Sequence, residues 1–153
     1  MKNPVWLRAL CALLLALAAT AASAQPLLMA RSTQSFPEAM LTLQSSLGDH
    51  GYTISRVQRV DIGLTKSGFK TDKYRVVFFG KPKEVHMLVK KFPQLIPYLP
   101  LKITIFAEDN DTIVIAADPK MYAEMVKDPQ VDHLFMRWRN DLLSIMRDMR
   151  ETN

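Results

Sequence analysis

Residues 101–117 read LKITIFAEDNDTIVIAA, and they contain the clearest structural pattern in the chain. Apolar residues recur at every second position of the first half: Leu101, Ile103, Ile105 and Ala107. This two-residue period is typical of a β-strand whose two faces have different surroundings. Residues 108–111 (EDND) are typical of a turn, and residues 112–117 (TIVIAA) have the composition of a partner strand. The sequence therefore predicts an antiparallel hairpin.

Further strands and amphipathic helices surround the hairpin. Apolar residues spaced three and four apart predict helices over residues 35–51, 83–92 and 131–149. Short runs of apolar and β-branched residues predict strands over residues 28–33, 52–60 and 74–79, with a turn or short helix over residues 61–67. This order predicts an α+β fold, a two-layer sandwich with a mainly antiparallel sheet of about five strands and helices packed on one face.

A proline-rich joint precedes the hairpin. Residues 92–103 read FPQLIPYLPLKI, and their Pro97 and Pro100 have the spacing of a polyproline II ligand. The surrounding residues are strongly apolar, whereas ligands of that kind usually lie in exposed segments. We interpret the joint as structural and expect Pro97 and Pro100 to favour extended backbone that leads into the strand.

The last predicted helix, residues 131–149, has an apolar seam. Its members step alternately by four and three residues: Val131, Phe135, Trp138, Leu142, Ile145 and Met149. A seam of this length is short for a coiled coil, so we expect the helix to pack across the sheet. The alternative is that the seam contacts a partner chain and makes the protein a homodimer.

Residues 1–24 have the pattern of a secretory signal peptide. A sparse basic start precedes the apolar run of residues 9–19 (ALCALLLALAA), and residues 22–24 (ASA) fit the small-residue site that signal peptidase accepts. The run is too short for a permanent transmembrane helix. We therefore expect a periplasmic or secreted mature chain, residues 25–153, that forms one domain and has no permanent membrane span after cleavage.

Cleavage also changes the charge and thiol content of the chain. It removes Lys2 and Arg8, which lowers the formal net charge of +5 by two, and it removes Cys11, the only cysteine. The mature chain then has neither a disulfide nor a thiol nucleophile. Its acidic and basic residues are interleaved, which is typical of an ordinary solvated surface, so no nucleic-acid partner is predicted.

The order of short motifs resembles the family known as domain of unknown function 302. The resemblance covers about residues 30–120, and its pieces are Phe36-Pro37-Glu38-Ala39, Leu47 with Gly51-Tyr52, Asp61 with Leu64 and Gly68, Phe79-Gly80-Lys81-Pro82, Phe92-Pro93, Leu99-Pro100-Leu101 and Asp118-Pro119. The family favours asparagine where Lys81 stands. The resemblance implies a compact α+β sheet with helices on one face. It implies no catalytic residue, because none is established for the family.

Four aromatic residues are the candidate ligand-binding site. Tyr74, Phe78, Phe135 and Trp138 come from a predicted strand and the last predicted helix. Pockets for small apolar ligands form where a helix crosses a sheet. The alternative is that all four residues belong to the hydrophobic core, because a domain of this size needs most of its large aromatic side chains for packing.

Histidine and methionine residues are candidate metal ligands. His50, His86 and His133 are joined by eight methionines after residue 24, and Met121 and Met125 are spaced to share a helix face. Thioether ligands favour copper. Methionine also fills apolar cores, and the identity of any metal or other cofactor stays unknown.

The sequence has no local signature of a hydrolase, zinc protease, dinucleotide-binding protein or P-loop protein. We therefore expect a non-catalytic ligand-binding or protein-interaction module, with a homodimer or a small apolar ligand as its partner. Two alternatives remain. One is an enzyme or redox accessory protein whose site combines dispersed residues such as Asp61 and His86. The other is a periplasmic carrier of a metal or haem.

Overall fold

A computed structural model describes residues 27–151, so the predicted signal peptide lies outside the described residues. The strands are β1 (Leu27–Ser32), β2 (Thr53–Arg59), β3 (Tyr74–Gly80), β4 (Leu101–Glu108) and β5 (Asp111–Ala117). The helices are α1 (Phe36–Asp49), α2 (Val60–Lys66), α3 (Pro82–Lys91), α4 (Lys120–Val126) and α5 (Pro129–Glu151), and a 3-10 helix spans Pro93–Tyr98. Within this range no helix is long and apolar enough to cross a membrane.

The strands form one antiparallel sheet in the order β1-β5-β4-β3-β2. The predicted hairpin, β4 and β5, lies at its centre with Ile105 opposite Val114. The α+β fold with a mainly antiparallel five-stranded sheet is therefore confirmed.

One face of the sheet carries the core. Val77, Ile103 and Val114 point to this face and are fully buried. The long helices α1 and α5 cover it, and α5 packs on β1 and α1. The α5 seam lies in this core, with Phe135, Trp138 and Ile145 fully buried. The seam therefore packs on the sheet, and it is not available to a partner chain.

The opposite sheet face is called the open face below. It carries the alternate residues of each strand, because neighbouring side chains of a strand point to opposite faces. Its central row consists of Met29, Ile115, Thr104, Val76 and Gln58, which are paired in register across the five strands. Met29 is 51% exposed, and the three central members of the row are partly buried.

Two local features differ from the sequence-based expectations. Pro97 lies inside the 3-10 helix rather than in extended backbone, and the chain reaches β4 through a cis Leu99–Pro100 peptide bond. No helix or strand is predicted between residues 117 and 131, but α4 lies there; Asp118 precedes it, and Lys127 ends it in a left-handed conformation.

Candidate functional site

The four aromatic residues predicted to form a pocket do not share one face of the sheet. Phe135 and Trp138 lie together in the core, with ring centroids 5.9 Å apart. Tyr74 and Phe78 alternate with the buried Val77 and therefore lie on the open face, where both are partly exposed. The sheet thus separates the two pairs, and they do not line a common cavity.

A polar cluster lies where α1 passes into β2. Gly51 has a φ of +73°, which lets the chain turn sharply after α1. The next residue, Tyr52, is buried, and its hydroxyl donates a hydrogen bond of 2.8 Å to Oδ2 of Asp141 on α5. The ammonium of Lys81 lies 4.8 Å from the centroid of the Tyr52 ring and 4.0 Å from the same Asp141 oxygen. These contacts join α5 to the ends of β2 and β3.

Burial determines the protonation of Tyr52. It raises the pKa of the phenol well above its usual value, and the hydrogen bond to Asp141 raises it further. Nearby, Glu84 on α3 accepts hydrogen bonds from Trp138 Nε1 (2.8 Å) and from Arg137 (2.5 Å). Each polar group named here has a partner within the protein, so the cluster is suited to holding α3 against α5 rather than to transferring protons.

An apolar groove lies on the other side of α3. It has a volume of about 370 Å³, and we call it the α3 groove. Its lining comes from the ends of β2 and β3, from α3 and from the residue before β4: Thr53, Ser55, Gly80, Pro82, Val85, His86, Val89 and Pro100. Polar atoms contribute little to this lining, and the Ser55 hydroxyl is already donated to the Phe78 carbonyl at 3.2 Å.

Gly80 fixes the distance between α3 and the sheet. A Cβ atom at this position would lie 2.9 Å from Cγ2 of Val85 and 3.8 Å from Cβ of Pro100. Real Cβ atoms essentially never show the first of these distances. The missing side chain therefore allows the first turn of α3 to lie directly on β3, and this close approach forms one wall of the groove.

Asp61 and His86 do not converge. Asp61 follows the Arg59 end of β2 and forms an ion pair with Arg75, and the hydrogen bond from Arg75 lowers the pKa of the Asp61 carboxyl. His86 is exposed and lines the groove at the Thr53 end of β2. A strand of seven residues separates the two ends, which corresponds to roughly 20 Å.

The predicted metal ligands are also dispersed. His50 ends α1, with Nδ1 2.9 Å from the Ser46 carbonyl oxygen, and His133 is exposed on α5. Met121 and Met125 pack against the hydrophobic core. Over residues 27–151, no group of three or more His, Cys, Asp or Glu side chains has a geometry that could hold a metal ion.

The α3 groove is not predicted from the sequence, although several of its residues belong to the motifs of the resemblance. Gly80 and Pro82 belong to one motif of the resemblance and Pro100 to another. The motifs mark turns and helix starts when they are considered singly. Only the pairing of β2 with β3 and of β3 with β4 shows that they meet at one end of the sheet.

Comparison with known proteins supports the fold and the resemblance. The family model described as domain of unknown function DUF302 matches residues 29–149, and this match includes α5, beyond the residues 30–120 of the motif resemblance. No curated protein matches. A crystal structure of an uncharacterised conserved DUF302 protein from Bacillus stearothermophilus is similar, with a TM-score of 0.73 at 18% identity over 83% of this chain and 100% of that chain. The likeness to this structure concerns the fold alone, whereas the family model matches most of the sequence, and the chain therefore belongs to the DUF302 family.

Proposed function

We propose that this protein is an exported, non-catalytic binding module that holds a small apolar ligand in the α3 groove. The observation that supports this proposal is the groove itself. Sites for small ligands are concave, roughly 300–1,000 Å³ in volume, and mainly apolar with a few polar groups that orient the ligand. The α3 groove has a volume of about 370 Å³, and Val85, Val89 and Pro100 form its apolar surface. Thr53 and His86 are the polar groups at its rim.

The chemistry of the groove favours binding over catalysis. General acid–base catalysis needs titratable groups within hydrogen-bond reach of the reacting atoms. Among the residues that line the groove, His86 is the single ionisable side chain. The nearby Glu84 faces the other side of α3, where Trp138 and Arg137 occupy both of its oxygens.

Binding is tested with a variant that fills the groove. Val89→Phe places a larger side chain in the groove, and Met87→Phe is its control, because Met87 is exposed on the same helix and does not line the groove. We expect decan-1-ol to raise the Tm of the wild type and of Met87→Phe but not of Val89→Phe. Absence of any Tm shift in the wild type with decan-1-ol and with decanoate would contradict the proposal.

Export is tested separately. The support for it is the signal-peptide pattern of residues 1–24. We expect the protein in the periplasmic fraction or the medium of a bacterial host to have the intact mass of residues 25–153. A protein that stays in the cytoplasm with residues 1–24 attached would contradict export.

The open face favours a homodimer as an alternative function. Its centre is apolar and uncharged where Val76, Phe106 and Ile115 lie on adjacent strands. Lys102 lies at one end of the face, and the pair Glu108 and Asp111, with Arg31 between them, lies at the other. A two-fold axis that runs across the strands would place the Lys102 end of one copy over the acidic end of the second copy, and apolar centre over apolar centre.

The dimer is tested by light scattering after size-exclusion chromatography. We expect the mass of two chains for the wild type and of one chain for Val76→Lys, because the lysine would bring like charges together near the two-fold axis. Leu41→Lys is the control, since Leu41 is 68% exposed on α1, away from the open face. A wild type that has the mass of one chain at about 100 μM would refute the dimer.

A further inference from the structure

Two cations flank an aromatic ring on the open face beside the α3 groove. Arg56 on β2 is paired with Phe78 on β3, and Phe78 is paired with Lys102 on β4. Neighbouring strands are about 4.8 Å apart, so the three side chains form one row across the sheet. Arg56 and Lys102 are both exposed. We call these three residues the cationic row.

The cationic row lies next to the groove on the open face. Phe78 precedes Gly80 by two residues in β3, so the two positions are on the open face and lie about 7 Å apart along the strand. Gly80 is paired with Thr53 on β2, and these two residues line the groove. A chain-like ligand that lies in the groove therefore has its end within reach of the row.

The charges of the row are not neutralised by acidic neighbours. Among residues 27–151, no acidic side chain forms an ion pair or hydrogen bond with Arg56 or Lys102, and Lys102 Nζ donates to the neutral Pro97 carbonyl at 3.3 Å. Other cations of this domain do have such partners, as Lys91 does with Asp128 at 2.9 Å. The row therefore leaves two positive charges next to an apolar surface.

We propose that the α3 groove and the cationic row together bind a single-chain amphiphile with an anionic head group, such as a medium-chain fatty acid. The alkyl chain lies against Val85 and Val89, and the carboxylate lies between Arg56 and Lys102. The volume of about 370 Å³ is near the lower limit for ligand pockets and suits one alkyl chain. This assignment rests on the binding function proposed above and adds the head-group chemistry.

The test compares decanoate with decan-1-ol by isothermal titration calorimetry on residues 25–153. We expect decanoate to bind more tightly than decan-1-ol, and octanoate to bind about 15-fold more weakly than decanoate, since each buried methylene changes the Kd about fourfold. Arg56→Gln and Lys102→Gln should each weaken decanoate binding about fivefold and leave decan-1-ol binding unchanged. Arg59→Gln is the matched control, because Arg59 is on the same strand but outside the row.

The outcomes separate the two proposals. Equal binding of decanoate and decan-1-ol, unaffected by the variants of the row, would overturn the head-group assignment and leave the apolar groove in place. Failure of both ligands to bind would overturn the groove function as well. An equal loss of decanoate affinity in Arg59→Gln would show a general effect of net charge and would also overturn the assignment.

A second arm distinguishes a free amphiphile from a lipid surface. Vesicles of phosphatidylglycerol carry the same combination of alkyl chains and anionic heads. We expect decanoate in solution to bind without vesicles present and to compete with any vesicle binding. Binding to these vesicles together with no binding of free decanoate would refute a site for a single chain.

Discussion

Replacing Gly80 by alanine tests whether the close approach of α3 to the sheet depends on the missing side chain. The new Cβ would lie 2.9 Å from Cγ2 of Val85. Val85 cannot easily rotate away, because a β-branched residue in a helix is held to one strongly preferred rotamer. Overpacking of this kind costs about 1–3 kcal/mol. Gly80 has no positive φ, so alanine regains about 0.5–1 kcal/mol of backbone entropy. The net loss of stability is therefore about 0–2.5 kcal/mol, with a central value of about 1 kcal/mol.

The contact is isolated by a double-mutant cycle with Val85→Ala. That substitution removes Cγ2, so Gly80→Ala in its background should be neutral or stabilise the protein by about 0.5 kcal/mol. Unfolding in urea can be followed by the fluorescence of Trp138, the single tryptophan of residues 25–153. If Gly80→Ala lowers the free energy of unfolding equally in both backgrounds, the Val85 contact is not the reason for a glycine at this position.

Three further predictions concern the core and the buried tyrosines. Leu142→Ala should lower the free energy of unfolding in urea by about 2–5 kcal/mol, because Leu142 is 1% exposed in the α5 seam. Leu143→Ala should lower it by about 0.5 kcal/mol or less, because Leu143 is 39% exposed. Burial raises the pKa of Tyr122 to about 12, so the stability that its neutral phenol contributes is intact below pH 10 and lost as the pH rises from 10 to 12. Tyr122→Phe should therefore keep, over that interval, about 3 kcal/mol of stability that the wild type loses. Identical pH dependence of the free energy of unfolding in the two proteins would contradict this prediction. Tyr52→Phe should cost about 1.5–3 kcal/mol at pH 7 because it removes the donor to Asp141, and chemical unfolding of Tyr98→Phe, an exposed tyrosine, provides the reference value.

The sheet could be predicted from the sequence because its central strands have two different faces. Ile103 and Ile105 are fully buried, while Lys102, the residue before Ile103 in β4, is exposed, and this contrast produces the two-residue period. The start of α1 is also determined locally, because Glu38 accepts hydrogen bonds from the backbone N–H and the hydroxyl of Ser35, three residues earlier. Helix α4 could not be predicted, because its seven residues are too few to show a helical period.

The candidate site could not be predicted in the same way. Residues 74–79 (YRVVFF) are apolar on both faces of β3, so periodicity does not tell which face meets the helices. The prediction placed Tyr74 and Phe78 beside the last helix, whereas Val77 and Phe79 occupy that face. The groove depends on contacts between residues far apart in sequence, such as Gly80 with Pro100. Such contacts cannot be identified from a local sequence pattern.

Three segments that carry the resemblance to the DUF302 family, Gly51-Tyr52, Gly80-Lys81-Pro82 and Leu99-Pro100-Leu101, meet at one end of the sheet. Structural roles explain the residue types at these positions. Gly51 allows the chain to turn, Gly80 allows the close approach of α3 to the sheet, and Pro82 begins α3. These segments thus maintain the scaffold of the groove. Arg56 and Lys102, which the motifs do not include, supply its charge. Scaffold and head-group preference are therefore separable, and exchanging the two cations for neutral residues should change ligand choice while leaving the free energy of unfolding within about 0.5 kcal/mol of the wild type.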